Sequence, residues 1–260
     1  MSEVFNLMVA NAATVREPIP GQTGVWVYNS KTLVSSAMKM SGVVVSGWRN
    51  SMIVLSRGSA SSTQLISSGY LYVSSGGVAN MTTVNSRGCY LHVSNGGTAT
   101  ATTVDSYSYL FVSSGGTALD ILENGGYVEV SAGATAIFAA NSFSGLVLSN
   151  ADATVHSNTV AEAVTLNRYG RLYIYDGGVA NETTLNSGGY LRVNSGGNVY
   201  DVTVSAGGRL GGFSWNETRH WDAIENGTAV VAKNVTIVGD YMYVSSGGTA
   251  TETIVSNGYL

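Results

Sequence analysis

One feature constrains this chain more than any other: a unit of about twenty residues that repeats. Residues 70–116 read YLYVSSGGVANMTTVNSRGC, then YLHVSNGGTATATTVDSYS, then YLFVSSGG. Val73, Val93, Val112 and Val130 are anchors spaced by 20, 19 and 18 residues. A second anchor follows 11 residues later, Val84 after Val73 and Val104 after Val93. A unit of this length is too short for a strand-helix-strand crossover. It is long enough for one coil of two or three short strands, and stacked coils bury a continuous apolar column.

Parity along the unit says which side chains enter that column. Successive side chains of a strand point to opposite faces. The pairs Leu71/Val73, Leu91/Val93, Leu110/Val112, Val128/Val130, Leu172/Ile174, Leu191/Val193 and Met242/Val244 are apolar every time, so they face in. The alternate position holds Tyr72, His92, Phe111, Glu129, Tyr173, Arg192 and Tyr243, and such variety marks an outer face. In the second half of the unit, Ala79, Ala99, Ala118, Ala180 and Ala250 predict a tight interior corner. Thr82, Thr102, Thr183 and Thr253 alternate with Val84, Val104, Leu185 and Val255 and predict an internal ladder of hydroxyls. Met81, Ala101, Glu182 and Glu252 face out. The Gly pairs 76–77, 96–97 and 115–116 supply corners, because Gly reaches positive φ without a Cβ penalty and Ser or Asn bonds the local backbone. Hairpins in a meander would not explain identical residues recurring once per coil. The expected fold is all-β: a single-stranded parallel β-helix, or solenoid, of ~19-residue coils. For its hand, right-handed crossovers are the general rule.

The rest of the chain sorts against this template. Residues 1–23 do not fit it and hold both prolines, Pro18 and Pro20, which a central rung does not tolerate. They are expected to form an N-terminal cap. Residues 24–260 are then the repeat domain, degenerate over 24–69, with MIVL at 52–55 aligned on YLYV at 70–73 and Ile66 aligned on Val84. Irregular breaks are expected at 132–170, where the paired glycines vanish, and at 209–240, where GGFSWNETRHWDAIENG interrupts the pattern. The last residues stop in mid-unit, as in a fragment of a longer array.

Composition excludes several function classes. A net charge of -4, with only 11% charged residues, gives no electrostatic case for nucleic acid or an anionic membrane surface. No apolar run approaches the ~18 residues of a membrane-spanning helix. The N-terminus carries Glu3 and lacks a basic region, so it does not read as a signal peptide. Cys89 is the one cysteine, and its place in a turn predicts a thiol at the solvent edge. No metal or cofactor is expected: His92, His156 and His220 lie in unrelated contexts, without ligand spacing.

The motif YLYVSSGG–VANMTTVNSRG and its copies VANETTLNSGGYLRVNSGG and TATETIVSNGYL resemble the stalk repeats of AIDA-type adhesins, autotransporter passenger domains of Gram-negative bacteria. The likeness is close over 70–131 and 171–208 and recurs at 241–260. It implies a secreted or outer-membrane-attached β-helical passenger acting in adhesion, autoaggregation or biofilm formation. It also implies O-glycosylation by a glycosyltransferase on repeat hydroxyls. The turn serines Ser74, Ser75, Ser94, Ser113, Ser114, Ser195, Ser245 and Ser246 are the candidates.

Two other features offer contact chemistry. Tyr70, Tyr90, Tyr109, Tyr127, Tyr190 and Tyr241 occupy one outward position, with Arg171 and Arg209 in the remaining copies. Neighbouring coils would stack these rings, and the stripe would serve self-association of side-by-side rods or contact with a sugar. Phe213, Trp215, His220 and Trp221 lie in the 209–240 interruption, a candidate loop for a surface glycan or receptor. The alternative reading is a carbohydrate-binding or polysaccharide-active β-helix. Such enzymes need clustered Asp/Glu or Arg/Lys on one face, whereas Asp105, Asp120, Asp201 and Glu182 read as scattered singly along the outward face, so no enzyme is expected.

Overall fold

In the computed structural model the described residues are 26–27, 31–35, 38–211, 231–233, 236–238 and 249–256. The chain divides into two compact units, Met1–Ala139 and Ala140–Leu260. Every strand pairing among the described residues is parallel, apart from one isolated antiparallel bridge between Asp105 and Gly125. No helix occurs among them. The proposed cap at 1–23 lies outside the described residues.

In the first unit each clean coil contributes one short and one long strand. The short strands Lys31–Val34, Ser51–Val54, Tyr70–Val73, Tyr90–Val93, Tyr109–Val112 and Tyr127–Val130 form a six-stranded sheet. The long strands Val78–Val84, Thr98–Asp105 and Thr117–Asn124 form the centre of a second sheet. Leu71 pairs with Leu91, Leu91 with Leu110, and Leu110 with Val128. The coil is therefore the 18–20-residue repeat of the sequence. In-register stacking puts each apolar side chain on its own kind, and Leu71, Val73, Leu91, Val93, Leu110, Ala79, Ala99 and Ala118 are all fully buried.

The degenerate coils shift the alignment by one residue. Met52, not Ile53, pairs with Leu71, and Leu65, not Ile66, pairs with Val84. A one-residue slip exchanges the faces of a strand. Met52 and Leu65 are wholly buried, while Ile53 and Ile66 lie on the partly exposed face.

The second unit holds three sheets. The coil Asn141–Ser144, Val147–Leu148 and Ala151–Val155 pairs rung for rung with Thr159–Glu162, Thr165–Leu166 and Gly170–Ile174. Regular pairing thus runs through most of 132–170, and what changes in that stretch is the unit boundary after Ala139. Farther on, Val179 pairs with Asn198, 19 residues later, but Asn198 pairs with Val231, 33 residues later. The sheet takes up its register again at Val231, so paired strands occupy both ends of the 209–240 interruption.

Each coil turns its long strand at a single residue in the left-handed region. Stacked positions Gly42, Ser62, Met81, Ala101 and Asp120 in the first unit have φ between 51° and 66°, and Gly145, Ala163, Glu182 and Asp201 repeat this in the second. Only two of these nine are Gly. The left-handed residue resets parity, so Ala79, Thr82 and Val84 all point inward. At the other corner the two glycines act differently. Gly96 has φ +70°, whereas a Cβ on Gly97 would lie 2.5 Å from the Val73 carbonyl oxygen of the preceding coil.

Two expectations about small side chains are corrected. Thr63, Thr82 and Thr102 stack in register, but their Oγ1 atoms are buried and make no hydrogen bond. The hydroxyls form no ladder, because successive coils hold them apart and the neighbouring backbone groups pair coil to coil. Val43 and Ile121 fill the same column. Cys89 is not at the solvent edge: it is wholly buried, and burial pushes its thiol above the ordinary 9.0.

Thr102→Val should raise stability by about 1 kcal/mol, since it replaces an unsatisfied buried hydroxyl with the methyl that the column accepts elsewhere. Gly97→Ala should lower stability by about 1–3 kcal/mol through overpacking against a backbone oxygen. Chemical denaturation midpoints of both variants check these opposite signs.

Candidate functional site

The tyrosine position becomes a plate. Tyr70, Tyr90 and Tyr109 stack coil on coil, with centroids 5.2 and 4.7 Å apart and planes within 7° and 11°. Tyr127 ends the column tilted by 56°. Two residues along each strand, Tyr72, His92 and Phe111 form a second column at 5.1 and 4.9 Å. The columns lie side by side, Tyr70 to Tyr72 at 6.3 Å and Tyr109 to Phe111 at 6.1 Å, with ring planes nearly parallel at 4° and 3°. The second column escaped sequence reasoning because its chemical variety marked only an outer face; the aromatic character shared by Tyr72, His92 and Phe111 was the available signal.

Parallel register fixes this geometry. Each ring has an aromatic partner one strand away, at the strand spacing. Every ring of the plate is half-buried. The stacked faces cover each other, so ring edges and phenol hydroxyls form the exposed surface. A sugar that packs against an aromatic face therefore finds little open face inside the stack. Burial first, and then the neighbouring phenols, push the Tyr72 and Tyr90 hydroxyls above their ordinary 10.0, so these two stay protonated at neutral pH. Burial lowers the basicity of His92 below its ordinary 6.5.

In the second unit the same column holds Asp152, Arg171, Tyr190 and Arg209. Asp152 accepts two hydrogen bonds from Arg171, from Nε at 2.5 Å and from the second guanidinium nitrogen at 2.7 Å. Tyr190 thus lies in register between two arginines. Burial, ahead of its charged neighbours, raises the Tyr173 hydroxyl beside it. Tyr241 lies outside the described residues, as do Phe213, Trp215, His220, Trp221, Ser245 and Ser246.

Of the turn serines, Ser75, Ser113, Ser114 and Ser195 are exposed, and Ser74 and Ser94 are half-buried. The carboxylates are less scattered than expected. Glu182 and Asp201 occupy the same left-handed corner in adjacent coils, where the Glu182 N–H donates to the Tyr200 carbonyl at 3.1 Å. Glu123 is wholly buried in the column of Val84 and Val104, a placement that nothing in its repeat position foretold.

No protein-family model and no curated protein matches the chain. Among solved structures it is similar to a hyper-glycosylated fragment of TibA, modified by TibC, at 28% identity over 91% of this chain and 86% of that one, with a TM-score of 0.39. It is also similar to endo-xylogalacturonan hydrolase from Aspergillus tubingensis, at 11% identity over 94% of this chain and 82% of that one, with a TM-score of 0.20. Neither superposition is close enough to carry function across.

The half-buried imidazole makes the plate sensitive to acid. With its folded pKa below 6.5, His92 leaves the unfolded chain binding more protons in that window. Its stabilisation is complete above 6.5 and is lost as pH falls through the lowered folded value. His92→Phe should remove this component, so thermal midpoints of variant and wild type should diverge as pH drops below 6.5.

Proposed function

We propose that this chain is a non-catalytic β-solenoid segment of a bacterial surface adhesin, and that copies of it associate side by side through the aromatic plate. The observation that carries this reading is the two-column stack Tyr70–Tyr90–Tyr109 and Tyr72–His92–Phe111. Six rings locked against one another lose little conformational freedom on contact, and their edges combine apolar surface with hydroxyl donors. A second plate laid against the first would bury both. The resemblance of the repeats to adhesin stalks supports the same reading, and with it a location at the cell surface or in the secreted fraction. The exposed Ser75, Ser113, Ser114 and Ser195 suit O-glycosylation, which intact mass after co-expression with a glycosyltransferase would reveal.

Sedimentation velocity of the purified chain checks self-association without any ligand. Wild type should show a concentration-dependent shift to larger species. The triple variant Tyr90→Ser, Tyr109→Ser, Phe111→Ser should remain monomeric while keeping its β circular-dichroism signal. A folded triple variant that associates as wild type does would sink the reading.

A further inference from the structure

Among the rings of the aromatic plate, His92 is the one that gains a charge in mild acid. Along its column it is flanked by Tyr72 at 5.1 Å and Phe111 at 4.9 Å, and across to the other column by Tyr90 at 6.1 Å. Its own strand, Tyr90–Val93, and the two that pair with it, Tyr70–Val73 and Tyr109–Val112, carry no Asp, Glu, Lys or Arg. The other titratable groups on these three strands are the phenols of Tyr70, Tyr72, Tyr90 and Tyr109, a class that ionises roughly three units above imidazole. In the turn before its strand lie Cys89, wholly buried, and Arg87, exposed. Glu129 continues the column of His92 two strands away, and Lys31 ends the neighbouring column three strands away. At the strand spacing these are about 10 and 14 Å off, beyond the ~8 Å over which exposed charges act at physiological salt.

From this arrangement we infer that His92 is an acid switch for the contact between plates: neutral, it lets two copies pack side by side, and protonated, it separates them. The inference rests on the self-association reading above. Stacking covers both faces of the imidazole, so water reaches it through the ring edge, and a second plate takes that water away. A neutral ring tolerates the loss, because its edge carries one donor and one acceptor that phenol hydroxyls can match. An imidazolium brings two donors and a full charge, with no carboxylate on its own or adjoining strands to answer it, and an unpaired charge is costly to dehydrate. An identical partner adds its own imidazolium to the same interface. Attraction of the cation to Tyr72 and Phe111 does not offset this cost, because those rings flank it in the free and the associated chain alike and cancel in the difference. In the single chain burial already lowers the basicity of His92 below its ordinary 6.5, and the contact deepens that burial. Association therefore has its full strength above 6.5 and weakens as pH falls through the value of the free chain.

Sedimentation velocity of the full chain at about pH 7.5 and about pH 5 tests the switch, with circular dichroism at each pH to follow the fold. The wild-type association constant should fall at least about tenfold in acid, which corresponds to one further unit of pKa depression at one imidazole. His92→Phe and His92→Gln should lose this response, their constants agreeing within about twofold between the two conditions. His156→Gln, in the second unit, should respond as wild type does. At the higher pH, where acid stability plays no part, His92→Lys should imitate the protonated state and sediment as a monomer. A folded wild type that fails to associate at the higher pH overturns self-association and the switch together. The switch alone is overturned by equal wild-type association at both pH values, by an undiminished response in His92→Phe and His92→Gln, or by full association of a folded His92→Lys.

Discussion

In this protein the backbone of each coil is satisfied by the coil before it and the coil after it. Parallel pairing in strict register makes every side-chain position a column, and a column is only as good as the match between its members. Leu71, Leu91 and Leu110 make one apolar column, Ala79, Ala99 and Ala118 another, and Tyr70, Tyr90 and Tyr109 an aromatic one. Core and surface therefore follow from one rule: like stacks on like at the strand spacing. The same rule that excludes water from the interior brings rings face to face on the outside.

Corners are where the rule meets its limits. Close coil-to-coil approach leaves no volume for a side chain at Gly97 or Gly178, whose Cβ atoms would meet carbonyl oxygens of Val73 and Val155 at 2.5 and 2.3 Å. The opposite bend uses left-handed backbone at Met81, Ala101, Asp120, Glu182 and Asp201, where a Cβ is unfavourable by about 1–2 kcal/mol per residue. The surrounding ladder fixes that conformation whatever the side chain, so the bend admits residues of any chemistry at an exposed point. Corners are accordingly the most variable part of the coil.

Much of this was legible in the chain itself. Period and parity in 70–131 identified the parallel coil, the inward pairs and the tyrosine column, because a clean repeat samples each column several times. Legibility failed where sampling was thin. A single degenerate coil cannot distinguish Met52 from Ile53 as the inward residue, since both are apolar. Cys89 replaces a corner residue that is small for reasons of space, and smallness does not separate a buried corner from an exposed one. Threonine at 82 and 102 reads equally as a hydrogen-bonding row or as a β-branched filler; the columns that place Val43 and Ile121 beside them decide for shape. Left-handed Met81 and Glu182 carry no signature, because tertiary pairing overrides their preference.

The step from Asn198 to Val231 has a broader meaning. Rungs dictate where a strand must lie, but they say nothing about how much chain travels between one rung and the next. Thirty-three residues cover a step that nineteen cover in the coil before, and the sheet resumes with Val199 on Ala232. Loop closure grows only slowly more costly with length. The architecture thus behaves as a display scaffold, in which foreign sequence can be spliced into a corner while the column beneath it keeps its register.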